Sequence, residues 1–227
     1  MKITIFGLGN YGASLAINLT ETGNEVIGVD QKLDKVNLIR DKIAHAICMD
    51  STKEQAYEVL PIKDTDLAIV AIGENEGAAI ITTAILKKLS QAKIIGRSLS
   101  PIHDTVLTAM GVDIIVHPEQ ESAERLTKKI NLKSMVDNFD LDQNYSISEI
   151  KATTDFEGKT LFELDFRNNY NLNVITILRK KEKTSVFGHK TSSNEVTGIP
   201  TKDMVIQKDD ILVVFGNNKD ISKFCDK

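Results

Sequence analysis

The sequence predicts an α/β protein in which a doubly wound parallel sheet is followed by a smaller α+β domain. As far as about residue 130, short runs rich in Ile and Val alternate with longer amphipathic stretches. The short runs are apolar on both faces, which is typical of strands in a sheet that helices cover on both sides. Beyond residue 131 the alternation ends and strand-like runs predominate.

Six strands and six helices are predicted in the first domain, residues 1–131. The strands are Ile3–Phe6, Val26–Val29, Ala46–Met49, Leu67–Ile72, Lys93–Gly96 and Asp113–Val116. The helices are Tyr11–Glu21, Lys32–Asp41, Thr52–Val59, Asn75–Leu89, Pro101–Met110 and Pro118–Ile130. Gly23 and Gly111 stand where helix C-termini need left-handed residues, and Pro101 and Pro118 fit first helical positions. Right-handed crossovers leave few topologies other than a doubly wound sheet.

The second domain is predicted at residues 146–227, after a polar linker or crossover at 132–145. Its predicted strands are Ser146–Ala152, Asn173–Leu178, Thr184–Phe187 and Ile211–Phe215. Short helices are predicted at Leu161–Asn169 and Lys219–Cys225, and the polar stretch Gly188–Gly198 is predicted to be a loop.

Composition excludes several classes of protein. Hydrophobic residues make up 41% of the 227 residues and charged residues 26%, which are ordinary globular values. The net charge of −4 disfavours sequence-independent nucleic-acid binding. No leader and no run of ~18 apolar residues is present, so we expect a soluble, cytoplasmic protein that serves a membrane only as a bound subunit. Two cysteines and four scattered histidines give no metal-ligand spacing.

A complete G-x-G-x-x-G follows the first strand and opens the first helix, as Gly7-Leu8-Gly9-Asn10-Tyr11-Gly12. In a Rossmann domain the first glycine permits the turn, the second lets a pyrophosphate approach the backbone, and the third lets helix and strand pack closely. Asp30 ends the second strand and suits hydrogen bonds from ribose hydroxyls, whereas it would repel the 2′-phosphate of NADP. The alternative is that the glycines only form a turn and that Asp30 caps the next helix.

Further candidates for the ligand site follow the later strands, at the edge of the sheet where ligands bind. They are Gln31, Asp50, Ser51, Thr52, Ala71, Ile72, Gly73, Asn75 and Arg97. Residues 50–52 could contact adenine or ribose, or could cap a helix, since Ser51 and Glu54 have capping-box spacing. Arg97 could reach a phosphate or be a solvated surface residue. Glu119 could simply compensate the dipole of the last helix in the domain.

Five stretches resemble the RCK regulatory subunits of bacterial potassium transporters, the TrkA/KtrA group. They are residues 5–12, 29–30, 68–73, 111–119 and 209–216, so the likeness covers nearly the whole chain. The resemblance implies a cytoplasmic, non-enzymatic gating subunit that binds NAD(H) or ATP/ADP in its first domain. It also implies a homodimer that assembles into an octameric ring on a membrane potassium-translocating subunit of the TrkH/KtrB type.

Individual residues carry over from this family. Gly7, Gly9, Gly12 and Asp30 match its nucleotide site, and Arg97 matches a basic residue near phosphate. Glu119 matches a glutamate that helps to hold a divalent cation beside the γ-phosphate. Asn10 stands where KtrA-like members often carry the arginine that reads the γ-phosphate, which makes NAD(H) or ADP relatively more plausible than ATP. In the second domain, Arg167 and Asn173 match two positions that bind cyclic di-AMP in some members.

Two other functions compete with this interpretation. An NAD-dependent oxidoreductase would need a general acid or base beside the nicotinamide and a substrate pocket, for which the second domain looks too small. A redox-sensing repressor would need a helix-turn-helix and a basic face, and the sequence offers neither.

Overall fold

The computed structural model describes residues 1–132, 134–184 and 190–225. The chain divides into two units, Met1–Gln120 and Glu121–Lys227. The two units are described separately below.

The first unit contains a six-stranded parallel sheet, as predicted. Its strands are β1 (Lys2–Phe6), β2 (Glu25–Asp30), β3 (His45–Cys48), β4 (Leu67–Val70), β5 (Lys93–Arg97) and β6 (Ile114–Val116). They lie in the order β3-β2-β1-β4-β5-β6, with every neighbouring pair parallel. The chain moves outward from β1 to β3, returns to the other side of β1, and moves outward again to β6. The prediction of a doubly wound sheet is therefore confirmed, and the reversal opens a crevice at the carboxyl ends of β1 and β4.

Five α-helices connect and follow these strands: α1 (Asn10–Glu21), α2 (Leu33–Ile39), α3 (Glu76–Leu89), α4 (Pro101–Ala109) and α5 (Pro118–Asn131). The prediction of an α-helix over Thr52–Val59 is wrong, because a 3₁₀-helix over Glu54–Val59 takes its place. Pro61 disfavours helical backbone at the preceding Leu60, which is extended, so the helix ends at Val59. Among the described residues, no helix is both long and apolar enough to cross a membrane.

The core of the first unit lies on both faces of the sheet. Ile5 and Phe6 are adjacent in β1 and both are fully buried, yet they belong to different apolar clusters. Successive side chains of a strand point to opposite faces, so helices must cover both. The continuous apolar run that predicted this strand follows from that arrangement.

The boundary between the units falls earlier than the predicted end of the first domain at residue 131. It lies after Gln120, within the first turns of α5. No residue of α5 is buried. Its apolar residues Leu126 and Ile130 are 56% and 68% exposed.

The second unit contains a five-stranded antiparallel sheet with short helices. Its strands are β7 (Met135–Asp140), β8 (Tyr145–Lys151), β9 (Asn173–Thr184), β10 (Lys190–Val196) and β11 (Ile211–Asn217), in the order β10-β9-β11-β8-β7. The helices are α6 (Leu161–Leu164), α7 (Phe166–Tyr170) and α8 (Asn218–Cys225). Contacts among the rings of Phe156, Phe166 and Phe224 help to join the helices into one apolar core. This architecture confirms the predicted α+β class.

Two segments predicted to be irregular form the edge strands of this sheet. The predicted linker at 132–145 contains β7, and the predicted loop Gly188–Gly198 contains β10. Each edge strand pairs on one side only, and most of its described side chains stay partly or fully exposed, so neither needs the apolar alternation of a buried strand. Residues 185–187 of the predicted strand Thr184–Phe187, and also His189, lie outside the described residues.

The predicted helix Leu161–Asn169 is interrupted at Asp165. This residue has left-handed backbone, with φ at 40°, and separates α6 from α7. Asp tolerates that region better than most residues with a side chain. The capping box that begins α6, between Thr160 and Glu163, was not part of the prediction.

Asp137 in β7 makes the second unit sensitive to acid. Arg125 donates from Nε to Asp137 Oδ1 at 2.8 Å, and this pairing holds the pKa of Asp137 below its ordinary 3.8. A carboxyl group whose pKa is lower in the folded state stabilises the fold above its unfolded pKa, and that contribution is lost as the pH falls through the lower folded value. We expect Asp137→Asn to be less stable than the wild type at about pH 6, and we expect this difference to be smaller at about pH 2.5.

Urea unfolding of both proteins at the two pH values measures this difference. Asp155→Asn is a matched control, because Asp155 is exposed and the substitution removes the same charge. A stability gap between wild type and Asp137→Asn that stayed constant down to low pH would contradict the assignment.

Candidate functional site

The glycine loop between β1 and α1 has the shape that the motif predicts. Gly7 has φ at 97° and donates its N–H to Val29 O at 2.8 Å, and a Cβ there would lie 2.9 Å from Ile72 N. A Cβ on Gly12 would overlap the carbonyl oxygen of Gly7. Gly9 is the N-cap of α1 and has no side chain that could accept from the first-turn N–H groups. A helix start of this kind favours an anion.

Asp30 lines the cleft and also accepts a hydrogen bond from the backbone of the glycine loop. Its Oδ2 accepts from Leu8 N at 2.8 Å, its Oδ1 accepts from Lys32 N at 2.9 Å, and the residue is 8% exposed. The sequence predicted contact with a ribose and did not reveal the bond to Leu8. A carboxylate has about four acceptor sites, so Asp30 can accept ribose hydroxyls in addition to these bonds.

Residues 50–52 form a turn beside the cleft. Asp50 Oδ1 accepts from the N–H of Thr52 at 2.9 Å and from its hydroxyl at 2.6 Å, and these bonds lower the pKa of Asp50. The expected capping box between Ser51 and Glu54 is absent, since the 3₁₀-helix begins after Lys53 without a side-chain cap. Ser51 Oγ instead pairs with Thr82 Oγ1 at 2.9 Å, which joins the turn to α3.

Arg97 lies inside the cleft, so the alternative of a solvated surface arginine is excluded. Its side chain is 13% exposed and forms an ion pair with Glu119. The guanidinium carbon lies 5.6 Å from the centre of the Tyr11 ring, a cation–π distance. Gly73 leaves the space, because a Cβ there would overlap the guanidinium. Within the described part of the chain, Arg97 Nε is buried and has no hydrogen-bond partner.

Glu119 stands at the second position of α5 and is 63% exposed in its side chain. Its partner is Arg97, so it does more than compensate the helix dipole. Within residues 1–132, 134–184 and 190–225, no group of three or more His, Cys, Asp or Glu side chains could hold a metal ion. A cation at Glu119 would therefore need most of its ligands from the phosphates of a bound nucleotide.

These groups surround one cavity of about 360 Å³, within the size range of small-molecule sites. Among the predicted residues, those that line it are Gly7, Gly9, Asn10, Tyr11, Asp30, Gln31, Asp50, Ser51, Thr52, Ala71, Ile72, Gly73, Asn75, Arg97 and Glu119. Leu8 and Gly12 do not line it: Leu8 is buried and Gly12 shapes the loop. Asn75 also caps α3 by accepting from Ala78 N at 3.0 Å.

Three charged residues of the cavity wall were missed by the sequence analysis. Lys32 and Lys35 come from the start of α2, and Glu74 comes from the loop after β4. No motif includes them. The available clue was the helical spacing of two lysines just after Asp30, which also fits an ordinary solvated helix face.

A separate cavity of about 530 Å³ lies in the second unit. Arg167 and Asn173 both line it, together with Phe162 and Pro200. Arg167 Nη2 donates to Asn173 Oδ1 at 2.9 Å. The two residues singled out in the sequence therefore meet at one cavity.

The chain matches two family models and several known proteins. The TrkA-N domain model matches residues 3–118, and the TrkA-C domain model matches residues 146–227. The chain is 37% identical to the Ktr system potassium uptake protein C of Bacillus subtilis (strain 168), over 98% of this chain and 95% of that protein. It is 29% identical, with the same coverage, to the Ktr system potassium uptake protein A of that organism.

Solved structures show the same fold at low identity. The GsuK RCK domain is 19% identical with a TM-score of 0.63, and the match covers 98% of this chain and 46% of that one. The GsuK channel bound to NAD is 18% identical with a TM-score of 0.57, covering 96% of this chain and 38% of that one. The chain thus spans less than half of these two structures. From the two domain models and the full-length relatives, the chain belongs to the TrkA/Ktr family of potassium uptake proteins.

Proposed function

We propose that this protein is a nucleotide-binding regulatory subunit of a bacterial potassium uptake system and acts as a switch, without catalysing a reaction. The observation that carries the proposal is the cleft itself. An uncapped helix start, the largely buried carboxylate of Asp30 and the partly buried guanidinium of Arg97 surround one cavity of suitable size. Membership of the potassium uptake family supplies the physiological context.

The ligand is an adenine nucleotide or dinucleotide, either NAD(H) or ATP/ADP. The glycine loop receives its pyrophosphate, Asp30 and Gln31 its ribose, and residues 50–52 its adenine side. Ala71, Ile72, Gly73 and Asn75 form the wall after β4. These assignments follow the usual placement of ligands at the carboxyl ends of strands in such sheets.

In this proposal Arg97 binds a negatively charged group of the ligand. Its buried, unpartnered Nε among the described residues is a donor that a ligand oxygen can accept from. A divalent cation joins the site in this proposal only with a nucleotide that brings its own phosphate oxygens, and Glu119 then supplies one ligand. Asn10 in place of an arginine favours NAD(H) or ADP over ATP.

Regulation requires that the ligand bind two conformations with different affinity. Couplings of ~1–3 kcal/mol per site are typical, and several sites in one assembly can combine to bias a gate. We propose a homodimer within an octameric ring, docked at the inner face of the membrane on a TrkH/KtrB-like subunit. The exposed Leu126 and Ile130 of α5 support a protein contact at this helix.

Calorimetric titration with ATP, ADP, NAD⁺ and NADH, with and without Mg²⁺, tests the proposal. We expect at least one to bind and Asp30→Asn to weaken it by about tenfold or more, because an amide nitrogen cannot accept from a ribose hydroxyl. Asp34→Asn is the matched control, since it removes a carboxylate from the same region outside the cavity wall. If none of these four ligands bound, the proposed function would be refuted. Turnover of a metabolite with NAD would favour an oxidoreductase instead.

A second ligand, cyclic di-AMP, is proposed for the cavity at Arg167 and Asn173. The support is that the two residues share a cavity and hydrogen-bond to each other, so a phosphate could accept from the same guanidinium. Titration with cyclic di-AMP, repeated on Arg167→Gln, tests this assignment separately from the first site.

A further inference from the structure

An ion-pair bridge crosses the mouth of the nucleotide cleft. Glu74 accepts from Lys35 Nζ at 2.9 Å and from Lys32 Nζ at 3.1 Å. The lysines belong to the segment after β2, and the glutamate belongs to the loop after β4. Because β2 and β4 flank β1, the bridge passes over the carboxyl end of β1, where the glycine loop lies.

The ammonium group of Lys35 lies beside the glycine loop. A Cβ built on Gly9 would be 4.0 Å from Lys35 Nζ. The side chain of Lys35 is 21% exposed, less than half the exposure of Lys32 at 48%. The ammonium is therefore next to the helix start at which the pyrophosphate is expected, and two sources of positive potential converge there.

Glu74 is the anion that balances this charge in the structure. Its hydrogen bond raises the pKa of Lys35, and the two lysines lower the pKa of Glu74, so the charged forms of Lys35 and Glu74 stabilise each other at neutral pH. The Glu74 side chain is 67% exposed. An exposed ion pair contributes little to stability, so the lysines can exchange Glu74 for another anion at small cost.

Resting on the function proposed above, we propose that Glu74 is an internal competitor of the nucleotide pyrophosphate. A bound pyrophosphate takes the place of the Glu74 carboxylate on Lys35, with Lys32 beside it. Lys35 is thus a phosphate-binding residue of the site. Because the Glu74 carboxylate already pairs with Lys35, a ligand must carry enough negative charge to displace Glu74 from this lysine. The ligand class is adenine nucleotides with two or more phosphates, and adenosine alone gains nothing from the exchange.

Calorimetric titration of ADP into the full-length protein tests the exchange, with adenosine measured by displacement of ADP. We expect Glu74→Gln to bind ADP about two- to fivefold more tightly, the range that corresponds to one exposed ion pair. Lys35→Gln should bind ADP about five- to tenfold more weakly. The double variant should resemble Lys35→Gln, because Glu74 competes mainly through that lysine. Adenosine should bind all four proteins alike.

Glu54→Gln is the matched control, since Glu54 pairs with Lys88 on the surface outside this cavity and its loss changes the net charge equally. Unchanged melting temperatures confirm that the exposed substitutions leave the fold intact. If the wild type binds ADP but Glu74→Gln binds it no more tightly, or if adenosine responds as ADP does, the exchange is refuted. Failure of the wild type to bind any adenine nucleotide refutes the proposed function itself.

Discussion

Gly12→Ala is expected to abolish nucleotide binding and to lower the free energy of unfolding of the first unit by ~1–3 kcal/mol, the usual cost of overpacking. The added methyl group would overlap the carbonyl oxygen of Gly7, which is backbone and cannot rotate away. Either α1 or the loop must move, and both carry the groups that face the cleft. Titration with the nucleotide that binds the wild type and chemical unfolding measure the two effects.

Gly77→Ala is the matched control for this substitution. Gly77 is an exposed residue of α3, and a Cβ there would meet only Asn75 Oδ1 at 3.3 Å. Alanine is favoured over glycine in helices, so we expect stability to be kept or slightly raised and binding to be retained. If Gly12→Ala bound nucleotide as well as Gly77→Ala does, the close packing of α1 on the loop would not matter for the site.

Asp210→Ala is expected to lower the free energy of unfolding of the second unit by ~3 kcal/mol. This value is at the lower end of the losses that are typical when one partner of a buried ion pair is removed. Asp210 is fully buried and accepts from Arg179 at 2.9 and 2.7 Å, and from Gln207 N at 2.8 Å. Its removal leaves the backbone N–H of Gln207 without this acceptor. The Arg179 side chain is 30% exposed and can regain some water, which is why the expected loss is not larger.

Urea unfolding of Asp210→Ala and of Asp203→Ala separates this pairing from a general effect of charge. Asp203 is exposed in the same region of the chain, so its replacement should cost little. Equal losses in the two variants would show that the pair between Arg179 and Asp210 does not stabilise this sheet.

The first unit could be predicted closely because burial of its strands and helices leaves a regular pattern of apolar residues in the sequence. The six strands, the order of helices and the left-handed Gly23 and Gly111 follow from apolar runs and from glycine and proline placement. The edge strands β7 and β10 could not be found in the same way. Backbone pairing with a neighbouring strand stabilises them, and that pairing leaves no periodic apolar pattern in the sequence.

The candidate site was predictable wherever a motif or strand end marked it. Fifteen of the predicted residues line one cavity. Three features depend on tertiary contacts that local sequence does not encode: the bond from Leu8 N to Asp30, the turning of Ser51 toward Thr82, and the bridge from Glu74 to the lysines of α2. Each joins residues more than twenty positions apart, and only the folded sheet brings them together.

The reversal of strand order at β1 has a thermodynamic consequence. The cavity wall draws on residues from Gly7 to Glu119, from both halves of the sheet. A ligand in the cleft therefore links elements that separate on unfolding, and by mass action it stabilises the native state by about 2.7 kcal/mol at a hundred times its dissociation constant. Thermal denaturation of the isolated protein can consequently rank cellular nucleotides as ligands without any measurement of ion flux.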